Sequence, residues 1–443
     1  MCDDDEVEAE PRIRRVRLEE PNVLDDPAPR GAFTVCLSGT ACTRDEGEAS
    51  RQGRWPNDRG ACDKDIYCDL TGYIPVRIHK EISGELDARA PSITVRGVGE
   101  NDWADDRESE PLALNDALDH VPDALVEYCS SYSGGDQFST SQQSKGQSMT
   151  ALALHAANIA ASEDAAVINF IGHSRGGVEA IMAAWFLYAY GSPRVRRTPV
   201  NIFAIDPVPG SGNWYSSMTQ LAPNVAHYVG VYAWDMCSRT LDTPFQAVVP
   251  RPNKGMGAGP DDVDEPCAKM LRKLAWKKLA DDSQRQDPLK PSDHNPPENY
   301  ELFACRGRHG TVAGNATSNG DYDPNDVAEE VKSVPKLVYR MARGYLSEWG
   351  VTFPEPSAVE ETALFLRHQL NTDHRLFDTM GGGATRTSVR TGRPWVRRVS
   401  SISGSNPYNS YYMDNVVGDP PYTMAYPVTN ERTDAGWAKW RFL

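Results

Sequence analysis

The stretch Val167-Ile-Asn-Phe-Ile-Gly-His-Ser-Arg-Gly-Gly177 decides the fold of this chain. Its apolar first half has the composition of a buried strand, and a helix-forming segment begins directly after it at Val178. Strand, Gly-x-Ser-x-Gly turn and helix in this order are typical of a nucleophile elbow, the sharp turn that lifts a reactive serine above a sheet. Glycine two positions before and after the serine leaves room where strand and helix pass closely. The pattern predicts Ser174 as a nucleophile.

Apolar strand patterns alternate with helical patterns on both sides of this turn. We predict further strands at 33–37, 92–96, 200–205, 225–234 and 300–305, and helices at 148–161, 178–190, 325–349 and 358–370, with another at 111–128 broken at Pro122. Continuous apolar strands between helices favour an α/β fold, in which a mostly parallel sheet is covered by helices on both faces. Functional residues of such sheets collect at the carboxyl ends of the strands.

The chain of 443 residues divides into three parts by composition. Residues 1–30 are acidic and rich in proline, and we expect a disordered tail. Residues 31–350 carry the alternating pattern and predict one α/β domain, whereas residues 351–443 predict an irregular C-terminal extension. Polar, glycine-rich or proline-rich stretches indicate loop insertions within the domain at 41–72, 130–147 and 250–298.

Charge and apolar patterning limit the partners and the compartment. The chain has 46 basic and 62 acidic residues, a net charge of −16, so no nucleic-acid partner is expected. No apolar segment marks a signal peptide at the N-terminus, and polar residues interrupt the longest apolar stretch, 167–190. We therefore expect a soluble protein made in the cytoplasm.

Neither a metal nor a cofactor is expected from the sequence. None of the nine cysteines forms a C-x-x-C pair, so the chain lacks the usual spacing of a zinc site. The acidic stretch 321–326 lacks the glycine and glutamate of an EF-hand loop and reads as the start of a helix.

A serine nucleophile needs a base, and the base needs an acid that orients it. His309 is the best candidate base, because it follows the last predicted strand in a glycine-rich turn; His294, in a proline-rich loop, is its rival. Asp206 and Asp235 end successive strands and both precede His309. Asp206 is favoured because a Pro/Gly turn would hold its carboxylate rigidly, and Asp235 remains the alternative acid.

An oxyanion hole requires hydrogen-bond donors on two sides of the reacting carbonyl. The backbone N–H of Arg175, the residue after the nucleophile, is the expected first donor. The turn after the first strand, Ser38-Gly-Thr40, is the candidate source of the second. We expect the Gly39 N–H to contribute there, with the Thr40 hydroxyl as an additional donor.

Taken together, the motifs resemble those of bacterial α/β-hydrolases that include type VI secretion lipase and phospholipase effectors. The resemblance covers about residues 31–345 and rests on motifs that occur in the same order: Ser38-Gly-Thr40, Gly97-Val-Gly99, the elbow, Ile205-Asp206 and Gly307-Arg-His-Gly310. It implies Ser174, Asp206 and His309 as the catalytic triad. Three features depart from the family pattern. Ser38 stands where the family usually has Asp, His173 stands where it has Phe, and the turn of His309 lacks the Asp-Val-Gly-Gly that often follows.

The same resemblance implies a serine esterase of the lipase or phospholipase type. Its substrate would be a lipid or another ester, reached at a membrane surface, and no cofactor would be needed. It further implies export by a secretion system that reads no cleaved signal, and an immunity partner. The elbow itself does not select the leaving group, so a peptidase or thioesterase on the same triad remains an alternative. A catalytically inactive hydrolase fold used for binding is the other alternative.

Overall fold

The computed structural model describes a large part of the chain. The described residues are 31–40, 42, 66–83, 91–99, 112–132, 146–210, 214–235, 246–252, 299–318 and 324–373, with the backbone of short strands at 398–400, 411–412, 416–417, 423–424 and 440–442. The expected N-terminal tail, most of the three loop insertions and most of the C-terminal extension lie outside these residues, as does His294.

A parallel sheet forms the centre of the fold. The strands are β1 (Ala32–Leu37), β2 (Ser92–Val95), β3 (Val167–His173), β4 (Val200–Ile205), β5 (Val225–Ala233), β6 (Ala247–Val248), β7 (Tyr300–Cys305), β8 (Arg398–Ser400), β9 (Tyr411–Tyr412), β10 (Val416–Val417), β11 (Thr423–Met424) and β12 (Trp440–Phe442). Seven of them form one sheet in the order β12-β7-β5-β4-β3-β1-β2, and neighbours run parallel throughout. The expected α/β class with a parallel sheet is confirmed.

Helices cover both faces of this sheet. They are α1 (Ile74–Ser83), α2 (Asp123–Ser130), α3 (Met149–Ser162), α4 (Arg175–Tyr190), α5 (Ser216–Thr219), α6 (Ser333–Glu348) and α7 (Ala363–Thr372). Successive strand residues point to opposite faces, so Val35 packs in one core with α3 and α4 while Cys36 packs in another with α1 and α6. Strands β1 to β5 and β7 are therefore largely buried on both faces, which explains why apolar residues predominate along them.

Prolines move two helix starts away from their predicted places. Helix α2 begins after Pro122, which caps it, and residues 112–120 are not helical, so the prediction of a helix at 111–128 was wrong in its first half. The segment predicted as one helix from 325 begins as short 3-10 turns, and α6 starts only at Ser333. Pro335 lacks an N–H and is tolerated only in a first helical turn, which places the start of α6 just before it.

The elbow brings three backbone segments into close contact. A Cβ atom added to Gly172 would overlap the Gly176 carbonyl, and one added to Gly176 would overlap the carbonyl of Leu37 at the end of β1. Ser174, between them, has φ of 57° and ψ of −122°, a conformation that non-glycine residues rarely adopt. Absent side chains at the two glycines therefore let α4 start directly above the ends of β1 and β3.

Parts of the chain that carried weak sequence signals also join the core. Ile66 and Cys68, near the end of the predicted insertion 41–72, are buried. Tyr67 between them forms an isolated antiparallel β-bridge with Asn315. The backbone of β12 pairs with β7, so the C-terminal extension contributes the edge strand of the main sheet. Among the described helices, none combines the length and the apolar character needed to cross a membrane.

Candidate active site

Ser174 lies at the carboxyl end of β3, at the point where the chain turns into α4. Its N–H donates to the Ile205 carbonyl at 3.0 Å, and its own carbonyl accepts from the Gly177 N–H at 3.1 Å. The residue is 3% exposed. These bonds hold the serine in its positive-φ conformation and tie it to the end of the neighbouring strand β4.

His309 and Asp206 meet at the same edge of the sheet. The distance between His309 Nδ1 and Asp206 Oδ2 is 2.6 Å, and the other carboxylate oxygen of Asp206 accepts the Ala233 N–H at 3.2 Å. Asp206 is fully buried and has a positive φ of 41°. A buried carboxylate with both oxygens engaged holds the imidazole with Nδ1 protonated, which leaves Nε2 as the proton acceptor.

Asp235 occupies a different position. Its carboxylate accepts from Arg306 Nε and Nη2 at 3.1 and 3.0 Å, and from the Gly307 N–H at 2.7 Å. The Arg306 guanidinium also lies over the Trp234 ring, 4.4 Å from its centroid. Asp235 therefore anchors the turn that carries His309, and Asp206 is the acid that contacts the imidazole.

The His309 turn packs directly against the elbow. His173 Nε2 lies 3.0 Å from the His309 carbonyl oxygen, and the two imidazole rings are 4.5 Å apart between centroids, at an angle of 37°. His173 immediately precedes Ser174, so this contact joins the turn that carries His309 to the elbow that carries Ser174. His173, which stands where the family it resembles has phenylalanine, thus contacts the candidate base His309 and is buried.

The turn after β1 also reaches the elbow. A Cβ atom on Gly39 would lie 3.2 Å from Ser174 Cβ, so the turn runs alongside the candidate nucleophile. The Gly39 N–H, expected to face a substrate oxyanion, donates to the Tyr73 hydroxyl at 2.6 Å. Thr40 Oγ1 accepts from Arg175 Nη1 at 2.6 Å. Because Thr40 Oγ1 is the acceptor in that bond, its own hydrogen can point to another oxygen.

Two buried ionisable side chains, Arg175 and Glu179, lie in the first part of α4, which starts directly after Ser174. Glu179 lies in α4, one turn after Arg175, and neither of its carboxyl oxygens has a hydrogen-bond partner among the described residues. Burial raises the pKa of Glu179 well above its usual range, against the opposing effect of Arg175 and Arg96. Burial also lowers the pKa of Arg175 to about 10, so this guanidinium stays charged at neutral pH. Burial thus disfavours the charged form of Glu179, so its carboxyl group offsets less of the positive charge on Arg175, which donates to Thr40 Oγ1.

Tyr73 belongs to the site although no sequence motif predicted it. Its hydroxyl lies 3.0 Å from His173 Nδ1, although the two residues are 100 positions apart. Tyr73 directly precedes helix α1, which was not predicted because it follows a polar stretch. A helical signal existed in the four-residue spacing of Ile74, Ile78 and Ile82, which are all buried.

Comparison with known proteins adds little to this geometry. No model of a known protein family matches the sequence, and no curated protein matches it. A crystal structure of an uncharacterized protein from Pseudomonas aeruginosa is similar over 81% of this chain and 52% of that one, with 13% identity and a TM-score of 0.37. This chain thus spans about half the length of that protein. Similarity at this level carries no argument about activity.

Replacing Glu179 with glutamine should stabilise the protein in a pH-dependent way. Above its ordinary pKa of 4.5 the unfolded chain releases the Glu179 proton while the folded chain keeps it. Wild-type stability then falls by about 1.4 kcal/mol per pH unit until the folded pKa is reached. We expect Glu179→Gln to unfold in urea like wild type at pH 5 and to be clearly more stable at pH 8. The exposed Glu127→Gln controls for the lost charge, and an equal difference at both pH values would contradict the assignment.

Proposed function

We propose that this protein is a serine hydrolase of the α/β-hydrolase type that cleaves carboxylic esters. The observation that carries the proposal is the 2.6 Å hydrogen bond between buried Asp206 and His309 Nδ1, beside a serine in a positive-φ turn. This arrangement supplies the nucleophile, base and orienting acid of covalent acyl transfer, each at the end of a strand. Asp235 is not needed for it, because Arg306 and Gly307 occupy its carboxylate.

In the proposed first half-reaction, Ser174 Oγ attacks the ester carbonyl carbon. The serine proton passes to His309 Nε2, and Asp206 stabilises the imidazolium that forms. The carbonyl π electrons move to oxygen, which gives a tetrahedral intermediate. This intermediate collapses when the C–O bond to the alcohol breaks, and the alcohol oxygen takes the proton from His309. An acyl group then remains on Ser174.

The second half-reaction repeats these steps with water. His309 Nε2 accepts a proton from water as the water oxygen attacks the acyl carbon, and the proton then returns to Ser174 as the acid leaves. The negative oxygen of both intermediates needs donors. We assign this role to the Arg175 N–H and to the Thr40 hydroxyl, which Arg175 Nη1 orients and polarises. The Gly39 N–H is not assigned to the oxyanion hole, because it donates to the Tyr73 hydroxyl.

The substrate class follows from the motif resemblance. Within ester hydrolysis we propose a lipase or phospholipase, acting on lipid at a membrane surface. Export through a signal-independent secretion system, and an immunity protein as partner, belong to the same proposal. A panel of p-nitrophenyl esters, triglycerides, phospholipids, thioesters and peptides separates these substrates from those of a thioesterase or peptidase.

Ser174→Ala should abolish both ester hydrolysis and labelling by a fluorophosphonate probe. In the labelling reaction Ser174 Oγ bonds to phosphorus and fluoride leaves, so the probe reports the nucleophile without a known substrate. Ser162→Ala, an exposed serine near the end of α3, is the matched control and should label like wild type. Mass spectrometry of the labelled peptide locates the adduct. Wild-type protein that stays unlabelled would favour the inactive binding module.

The two aspartates should differ in what they support. Asp206→Asn should keep the fold and lower kcat by about 10⁴-fold, because an amide stabilises neither the required tautomer nor the imidazolium. Asp235→Asn should lower the free energy of unfolding by about 3–5 kcal/mol, because the buried Arg306 loses its partner. Its kcat per labelled active site should fall far less. The reverse pattern in turnover and urea unfolding would assign the acid to Asp235.

The Thr40 hydroxyl should matter in the transition state and not in binding. Thr40→Val preserves the shape of the side chain and removes the donor, so kcat should fall by about 10²–10³-fold with little change in KM. Thr40→Ser keeps the hydroxyl and serves as the matched control, with activity near wild type. An unchanged kcat in Thr40→Val would remove the hydroxyl from the oxyanion hole.

A further inference from the structure

A chain of hydrogen bonds runs from the turn after β1 to the main chain of His309. The Gly39 N–H donates to the Tyr73 hydroxyl at 2.6 Å, and the Tyr73 hydroxyl lies 3.0 Å from His173 Nδ1. On the other side of the ring, His173 Nε2 lies 3.0 Å from the His309 carbonyl oxygen. The chain therefore joins three segments that the proposed mechanism needs: the candidate oxyanion turn, the nucleophile elbow and the base turn.

The donors and acceptors in this chain determine the tautomer of His173. A carbonyl oxygen only accepts, so His173 Nε2 must carry the hydrogen that it donates to His309. In the neutral ring Nδ1 is then an acceptor, and the Tyr73 O–H donates to it. Tyr73 in turn accepts from Gly39 through an oxygen lone pair. Each donor in the chain thus faces an acceptor, and all bonds point in one direction from Gly39 to His309.

Burial makes this chain a strong restraint. Tyr73, His173 and His309 are 1%, 5% and 9% exposed, so water does not readily replace a lost bond. Hydrogen bonds are stronger in buried surroundings. A buried donor or acceptor without its partner also destabilises the folded state more than an exposed one does. Ring packing adds to this, because the Tyr73 ring meets the His173 ring edge-on at 5.6 Å and His173 packs on His309 at 4.5 Å.

Other residues bond to the imidazole of His309 and to the backbone of the residues before it, whereas His173 bonds to the backbone of His309 itself. Asp206 contacts the imidazole, Asp235 accepts the Gly307 N–H, and Thr311 Oγ1 accepts the Arg308 N–H at 3.1 Å. His173 Nε2 donates a hydrogen bond to the carbonyl oxygen of His309 itself. Since the imidazole position depends on the backbone that carries it, this bond sets how His309 stands relative to Ser174, the residue next to His173.

We propose that His173 and Tyr73 are positioning residues, which hold the base turn and the oxyanion turn in register with the nucleophile. The inference rests on the proposed function, because it assigns His309 as the base of Ser174. Neither residue takes or gives a proton in the reaction. Loss of these hydrogen bonds does not alter the residues that bind substrate, but it allows the His309 imidazole to move away from Ser174. The rate of the chemical step therefore falls, and substrate binding does not change.

The test compares variants that keep the ring with variants that keep the hydrogen bonds. His173→Phe retains ring packing and loses both bonds, and we expect kcat to fall by about 10²-fold with KM nearly unchanged. His173→Gln retains a donor and an acceptor and should recover part of that loss. Tyr73→Phe should lower kcat in the same way, and Tyr73→Phe/His173→Phe should be no worse than His173→Phe alone, because both changes break one chain.

The matched control is His227→Phe. His227 also makes two side-chain hydrogen bonds, to Glu301 Oε1 at 3.0 Å and from Trp349 Nε1 at 3.2 Å. It lies near the N-terminal end of β5, whereas the candidate site lies at the C-terminal end of that strand. This variant should lower stability in urea and leave kcat unchanged. Unchanged kcat in His173→Phe, or losses that follow unfolding alone in all variants, would overturn the positioning role.

A second measurement does not depend on turnover. Proton NMR of histidine-labelled protein reports the His309 Nδ1 hydrogen that is bonded to Asp206. We expect its resonance to shift or broaden in His173→Phe and to stay in place in His227→Phe. If wild-type protein takes no fluorophosphonate label, the proposed function fails, and this resonance still decides whether His173 positions His309. If wild type labels and His173→Phe labels equally fast with an unmoved resonance, only the positioning role fails.

Discussion

The close passage of helix α4 over the end of strand β1 constrains the whole site. Gly176 lies against the carbonyl of Leu37 with no space for a side chain, and Gly172 lies equally close to Gly176. Ser174 is therefore confined to a turn with positive φ, held by the Ile205 carbonyl of the next strand. The same contact brings the Gly39 turn alongside the serine, because that turn is the continuation of β1. A larger distance between α4 and the end of β1 would separate the Gly39 turn from Ser174.

Two aspartates at adjacent strand ends divide the task of placing His309. Asp206 follows β4 and bonds to the imidazole, whereas Asp235 lies beyond the end of β5 and bonds to Arg306 and the Gly307 N–H. One carboxylate thus orients the ring, and the other shapes the turn that carries it. Both are buried, and a buried carboxylate is stable as an ion only with donors of this kind. The candidate site depends on both aspartates, although only Asp206 contacts the candidate base.

The sequence predicted the elements whose signals are local. Continuous apolar runs identified β1 to β5 and β7, and the elbow identified Ser174 and the start of α4. Asp206 was favoured over Asp235 because of its rigid turn, and it is the residue found at His309. Elements without a strong pattern were missed: α1 follows a polar insertion, and β12 is a three-residue strand at the edge of the sheet. The predicted start of α6 at residue 325 is wrong, because Pro335 is tolerated only in a first helical turn and the helix starts at Ser333.

By itself the sequence determined the parallel α/β arrangement and the strand ends at which the candidate catalytic residues lie. This information is carried by periodicity and by glycine and proline positions, which act within a few residues of the chain. Only the tertiary structure decided which partners those residues have. Gly39 bonds to Tyr73, Tyr73 to His173 and His173 to His309, across separations of up to 136 positions. Such contacts depend on how strands and turns meet in space, because hydrogen bonds form over about 3 Å whatever the distance along the chain.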